Sequence, residues 1–399
     1  MTFKQLIFFA ALVLVALASH AVAQQRAIIR FNPQAPFSAV PETEEEQTDF
    51  LAMLDQDDPA RRNRLIDDLF ADYPSSEYMH MFLQARWELQ LERGTPAQII
   101  DTATLALEAY DYFMETKLGY LDDPAQVRGY AAAQYRKASQ ELRYHQSIVD
   151  ASTELDDIAT VAEHTDLGIA AAARVDQWYG QLGGESEEVA GMDADTHADF
   201  SENARMYMLN NLRVLYEGAG EADRALEVSE RMIEVIPDDV EMLLSTATQL
   251  VSQVPDDAAV RRERMERALD YADRAADGID VFLLRADLSD EQQAGVRAQL
   301  YSTMGMASAQ LGDWDTSIAA YEAAIDATPM APNLHYMLGV AGASAQDIDI
   351  ALPAFARAHF LAPQVAEIRT TLEQLYQAAE GSLDGLDGYI ESQGAALGN

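Results

Sequence analysis

The stretch LGDWDTSIAAYEAAIDATP, Leu311 to Pro329, sets small residues (Ala319, Ala320, Ala323, Ala324) around one large aromatic, Tyr321. That spacing predicts a helix packed tightly on both sides. Farther on, in QVAEIRTTLEQLYQAA (364–379), Val365, Ile368, Leu372, Leu375 and Tyr376 fall on one face, with Glu373 and Gln374 opposite. An amphipathic helix with one apolar stripe is expected there, closing whatever precedes it. The N-terminal half is helical in pattern too, with expected helices at 60–72, 75–92, 96–118, 124–148 and 152–179. Pro96 stands at a first helical position, where its missing N–H costs nothing. By contrast, 24–48 holds three prolines and an acidic run without helical period, and reads as a flexible leader.

A period of 34 organises the C-terminal half. Pro363 follows Pro329 by 34 residues, and the same step carries Met304 to Leu338, Gly305 to Gly339, Tyr321 to Phe355 and Ala324 to Ala358. Two consecutive helix–turn–helix units, 298–331 and 332–365, follow from that step. Their places four, seven, eight, twenty, twenty-four, twenty-seven and thirty-two hold Tyr301, Met304, Gly305, Ser317, Tyr321, Ala324 and Pro329 in the first unit. The second holds His335, Leu338, Gly339, Ala351, Phe355, Ala358 and Pro363.

This pattern resembles the tetratricopeptide repeat. His335 departs from it, as do Ser308 and Gly342, where the family has tyrosine. The resemblance is weaker over 206–239, where Leu209, Leu212, Tyr216, Ala225 and Pro237 fit but Arg213 replaces the small residue. It is weakest over 240–278, which starts with Val240 and Leu243 and needs an insertion at about 254–264 before Ala268, Ala272 and Ala275. The resemblance implies an all-α, right-handed α-solenoid in which stacked units supply the core and a terminal helix caps it. No 34-residue step fits the N-terminal half, which reads as divergent helical repeats or a separate bundle.

The expected organisation is a signal peptide at 1–23, a leader at 24–48, a divergent helical region at 49–180 and an acidic, Gly-rich linker at 181–200. A repeat-like pair with its insertion follows at 201–280, a connection at 281–297, the tandem pair at 298–365, a capping helix at 366–380 and a fraying tail at 381–399. The signal reading rests on Lys4, the apolar run Leu6 to Ala18, and the small-x-small site Ala21-Val22-Ala23 before Gln24. That run is shorter than the ~20 apolar residues a membrane span needs.

Charge narrows the partners. With 27 Lys and Arg against 67 Asp and Glu, the net charge of −40 repels nucleic acid and anionic membrane. Two explanations of the acidity stand: adaptation to high salt, and genome composition. The absence of cysteine excludes disulfides and a lipidated N-terminus. An exported, cysteine-free chain fits the periplasm first and secretion second.

Candidate chemistry is sparse. Asp193, Asp195, His197 and Asp199 alternate as in a calcium loop, but Ala198 stands where glycine is needed and the closing glutamate is missing. A solvated linker is the preferred reading. The G-x-G of GAGEAD (218–223) follows a helix, not a strand, so a dinucleotide site is not expected. The pairs Asp122-Asp123, Asp238-Asp239 and Asp256-Asp257 suit helix starts, where a carboxylate caps free N–H groups. The six histidines after the signal show no ligand spacing, and no P-loop or nucleophile elbow occurs. Tyr110, Tyr112, Tyr120, Tyr130, Tyr135 and Tyr144 form a dense aromatic group, read as helix packing rather than as a stacking site for sugar or peptide. Catalytic, cofactor-binding and metal sites are accordingly expected to be none.

The family resemblance implies a concave surface made by the first helices, at places two, five and nine. Those are Tyr207, Asn210 and Val214; Glu241, Leu244 and Thr248; Gln299, Ser302 and Met306; and Asn333, Tyr336 and Val340. None is Lys or Arg, so capture of a peptide carboxylate is not expected. The expected function is an exported, non-enzymatic scaffold for protein–protein interaction in the bacterial envelope. The alternative is an enzyme or substrate-binding protein with its site in the N-terminal half and the repeats as a docking arm.

Overall fold

The computed structural model describes residues 43–73, 76, 79–118, 130–182 and 194–398. The signal sequence, most of the leader and Asp122-Asp123 lie outside them. Among the described residues every regular element is helical. Two compact units divide at Gly218 and Ala219.

The first unit contains α1 (Glu44–Leu54), α2 (Pro59–Asp72), α3 (Met79–Arg93), α4 (Pro96–Leu118), α5 (Tyr130–Glu154), α6 (Ile158–Leu182) and α7 (Ala194–Gly218). The expected helices are there, shifted by a few residues. The acidic run read as leader is the first turn of α1. Thr43 caps it, and Glu44, Glu45 and Glu46 place negative charge at the positive end of the helix dipole. Phe50 and Met53 anchor that helix in a core with Ile66, Leu69 and Phe82. The acidic stretch 194–199, expected in a linker, is the start of α7. Its inward face, Ser201, Ala204, Met208, Leu209 and Leu212, draws the helix into the unit.

The second unit contains α8 (Ala222–Val235), α9 (Val240–Ser252), α10 (Ala258–Arg285), α11 (Asp290–Leu311), α12 (Trp314–Ala327), α13 (Pro332–Ser344), α14 (Ile348–Leu361), α15 (Ala366–Glu380) and α16 (Leu386–Ala395). Side-chain oxygens start most of these helices. Asp239 accepts from the Met242 N–H, Asp257 from Ala259 and Val260, Asp313 from Thr316, and Asp347 from Asp349 and Ile350. The two described Asp-Asp pairs thus do what was expected of them. The connection expected at 281–297 shrinks to four residues, Ala286 to Ser289. On one side Ile279 and Leu283 continue the buried stripe of α10. On the other, Ser289 and Gln292 form a reciprocal capping box that starts α11 early.

The C-terminal segment is ordered as helix rather than fraying. Gly381, at φ 81°, ends α15, and Gly385, at φ 90°, precedes α16. Leu386 and Ile390 are buried with Phe355, Leu372 and Tyr376. Gly394 lies against the Phe360 ring, where an added Cβ would overlap the ring. The 34-residue step runs on into this segment, from Leu338 to Leu372 and from Phe355 to Tyr389. Two apolar matches, with Glu373 where Gly339 would map, were too few to announce a further unit.

Candidate functional site

The tandem pair is built on one joint used twice. A Cβ added at Gly305 would lie 2.9 Å from the Tyr321 ring, and one at Gly339 would lie 2.8 Å from Phe355. The glycines let each ring lie flat against the backbone of the preceding helix. Tyr321 and Phe355 are fully buried, as are Ala324 and Ala358 behind them. In the repeat 298–331 the Ser317 hydroxyl also donates to the Gly305 carbonyl at 2.9 Å. Thus α12 and α14 give their inner faces to packing against the helices that precede them.

The sets expected to face a partner differ in what they expose. On α13, Asn333 and Val340 are exposed, while Tyr336 is half-buried with its ring edge-on to Phe355 at 5.6 Å. On α11, Gln299 is exposed, the Ser302 hydroxyl donates to the Gln299 carbonyl, and Met306 is half-buried against Ile318 and Tyr321. On α9, Glu241 is exposed but Leu244 is buried among Leu243, Ala247, Ala275 and Leu300. Leu244 is core and presents nothing. Successive first helices are joined by a polar rail: the Thr248 hydroxyl lies 3.2 Å from that of Thr303, and the Gln299 amide donates to Thr248 at 3.3 Å. The structure therefore brings Thr248 and Gln299 together.

Tyr207, Asn210 and Val214 lie on α7 in the first unit. The Tyr207 hydroxyl donates to Asp150 of α5, and burial, then that carboxylate, holds its proton on more tightly than usual. Asn210 accepts from Arg213, and Val214 is exposed.

Several polar groups outside this expected surface are buried, and the sequence showed no spacing that would find them. His335, fully buried at place four, has its Nε2 2.8 Å from the carbonyl of Pro329, tying the repeat 332–365 to the end of the repeat 298–331. Burial keeps this imidazole neutral to lower pH than usual, and the nearby Arg357 adds to the effect. In the first unit, His145 and His164 bring their Nδ1 atoms to 3.0 Å across α5 and α6. His197, expected in a loop, is buried on α7, stacks on Tyr179 at 3.8 Å and has Nε2 3.1 Å from Asp176. The solvated-linker reading is therefore replaced for Asp195, His197 and Asp199, which stand on a helix; Asp193 lies outside the described residues. Among the described residues, no group of three or more His, Asp or Glu side chains is placed to hold a metal.

The tyrosine group is packing where its side chains are described. Tyr135 and Tyr144 are buried, and Tyr144 meets Trp87 edge-on at 4.9 Å. The Trp87 Nε1–H donates to Ser147 at 2.9 Å, satisfying the indole inside the core. Tyr110 lies edge-on to His80. Tyr120 and the side chains of Tyr112 and Tyr130 lie outside the description.

A model of the tetratricopeptide repeat matches residues 303–366, spanning most of both units. Comparison with curated proteins gave no match. Among solved structures, the chain is similar to MamA of AMB-1, at 17% identity over 52% of this chain and 98% of that one, with a TM-score of 0.31. It is similar to TTC0263, a thermophilic repeat protein of this kind from Thermus thermophilus, at 17% identity over 57% and 98%, with a TM-score of 0.30. The Cut9–Hcn1 hetero-tetramer of APC/C aligns at 11% identity over 84% of this chain and 64% of that one, with a TM-score of 0.32.

Proposed function

We propose that this chain, a tetratricopeptide-repeat protein by its residues 303–366, is a non-enzymatic scaffold that binds a protein partner in the bacterial cell envelope. One observation carries the binding reading. The second helices α12 and α14 pack Tyr321 and Phe355 inward, while α11 and α13 leave Gln299, Asn333 and Val340 at the surface. Exposed amides interrupted by an apolar side chain suit an extended or helical peptide, whose main chain needs donors and acceptors and whose side chains need contact. None of Glu241, Thr248, Gln299, Ser302, Met306, Asn333, Tyr336 and Val340 is Lys or Arg, so peptide carboxylate is not the anchor. The excess of carboxylates favours a partner of neutral or positive surface and disfavours nucleic acid.

Placement in the periplasm, with secretion as the second choice, rests on the N-terminal pattern from Lys4 to Ala23. No helix among the described residues is long and apolar enough to cross a membrane. Fractionation with N-terminal sequencing tests this placement: export predicts a mature chain beginning at Gln24, and an intact Met1 in the cytoplasmic fraction would refute it. The binding reading is tested by replacing Asn333 and Tyr336 together and comparing cross-linked partners. Loss of discrete partners is expected. Partners retained after that change but lost on deleting 49–180 would move the binding function to the first unit.

A further inference from the structure

We propose that the His145–His164 contact is an acid-sensitive latch: one proton shared between the two imidazoles holds α5 to α6, and protonation of both rings releases it. The geometry carries the inference. A separation of 3.0 Å between Nδ1 atoms is hydrogen-bond distance. Two bare lone pairs would repel there, and two N–H groups would point at each other, so one Nδ1 carries the proton and the other accepts it. The His145 ring has little freedom to turn away. His145 is 6% exposed. Its Cβ lies 3.2 Å from where a side chain at Gly168 would begin, and the Met208 thioether of α7 fills the rest of that space.

The charges facing the pair act in both directions: Asp111 favours charge on His145 and Glu163 on His164, while Arg174 opposes it on His145. From α4 comes Asp111, held by Lys137 at 2.6 Å. On α5, Glu141 is held by Lys137 at 3.4 Å and by Arg174 of α6 at 2.7 Å. A first added proton enters at the free Nε2 of the donor ring, and the resulting positive charge can be shared across the N–H···N line. A second removes the acceptor and places two like charges 3.0 Å apart. Burial acts in the same direction, holding His145 down to about 4, and also depresses His164. The unfolded or opened pair takes up protons near the ordinary histidine value, so acid favours opening.

Hydrogen exchange on the full chain tests the latch. Between about pH 7.5 and about pH 5, the amides of 142–148 and 161–168 should lose about tenfold in protection after correction for intrinsic rates. The variant His164→Gln, which keeps a hydrogen-bonding amide but cannot be charged, should lose less than about threefold. Unchanged protection in the unaltered chain, or the same loss in His164→Gln, overturns the latch. Should His164→Gln not fold, nitrogen-15 NMR of the unaltered chain decides. The latch requires one of these two neutral rings to be protonated at Nδ1 and the other at Nε2, whereas two Nε2-protonated rings would refute it.

Discussion

The two tandem units solve the same packing problem with different chemistry. Both press a ring against a glycine, yet Tyr321 brings a hydroxyl that finds no hydrogen-bond partner among the described residues, while Phe355 brings none. The first unit offsets its polar burial locally through the bond from Ser317 to Gly305, where the second has a plain Ala351. The second unit places its polar group at the joint instead, with His335 reaching back to Pro329. The scaffold thus requires size and shape at place twenty-four; polarity there is a tolerated cost.

Removing the ring breaks the comparison at its foundation. Phe355→Ala should cost about 3–5 kcal/mol, seen as a lower denaturation midpoint of the purified chain. Tyr321→Ala should cost less than Phe355→Ala, because it also removes an unpaired buried hydroxyl. Equal loss in the two variants would mean that the hydroxyl carries no penalty.

Exchanging the hydroxyl sharpens the same point. Phe355→Tyr should destabilise by about 1–3 kcal/mol, whereas Tyr321→Phe should be neutral or stabilising. Calorimetric melting of both variants checks the sign, and a clear loss of stability in Tyr321→Phe would show a partner for that hydroxyl.

Titration separates the joints next. His335 is held neutral below its ordinary range in the fold by burial, which outweighs the opposing hydrogen bond to Pro329, with Arg357 adding to the effect. The unfolded chain takes up the proton first, so this contribution is complete above about pH 6.5 and declines as pH falls below it. Melting across that window should fall more steeply for the parent than for His335→Gln, whose amide can still donate to Pro329. Identical slopes would exclude His335 from the acid response.

The smallest effect is expected at Ser317. Its replacement by alanine copies the second unit and should cost about 0.5–1.5 kcal/mol, the ordinary value of one hydrogen bond. Thermal melting of Ser317→Ala against the parent is sufficient to read it.

The fold was legible wherever local pattern and packing ask for the same residue. The 34-residue step identified Gly305, Tyr321, Ala324 and their partners, because a tight helix crossing leaves few alternatives at those places. It did not announce the α15–α16 pair, where Leu372 and Tyr389 continue the register but Glu373 falls at the glycine place. The start of α7 was missed because its polar residues look like linker until Met208 and Leu212 are seen to be buried. At the candidate surface, place numbers identified exposed Asn333 and Gln299 but also named Leu244, which the core takes. An offset along a helix fixes direction, whereas the neighbouring α10 and α11 decide burial. The buried histidines were illegible for a different reason. His145 and His164 stand on separate helices, and their meeting depends on how α5 and α6 cross.

The central claim is that the first helices choose a partner and the second helices support them. Photocross-linking from a benzophenone amino acid placed at Asn333 on α13, and separately at exposed Glu322 on α12, tests it most directly. The account predicts a discrete protein adduct from position 333 and none from position 322. The same adduct from both positions, or an adduct from position 322 alone, would contradict it.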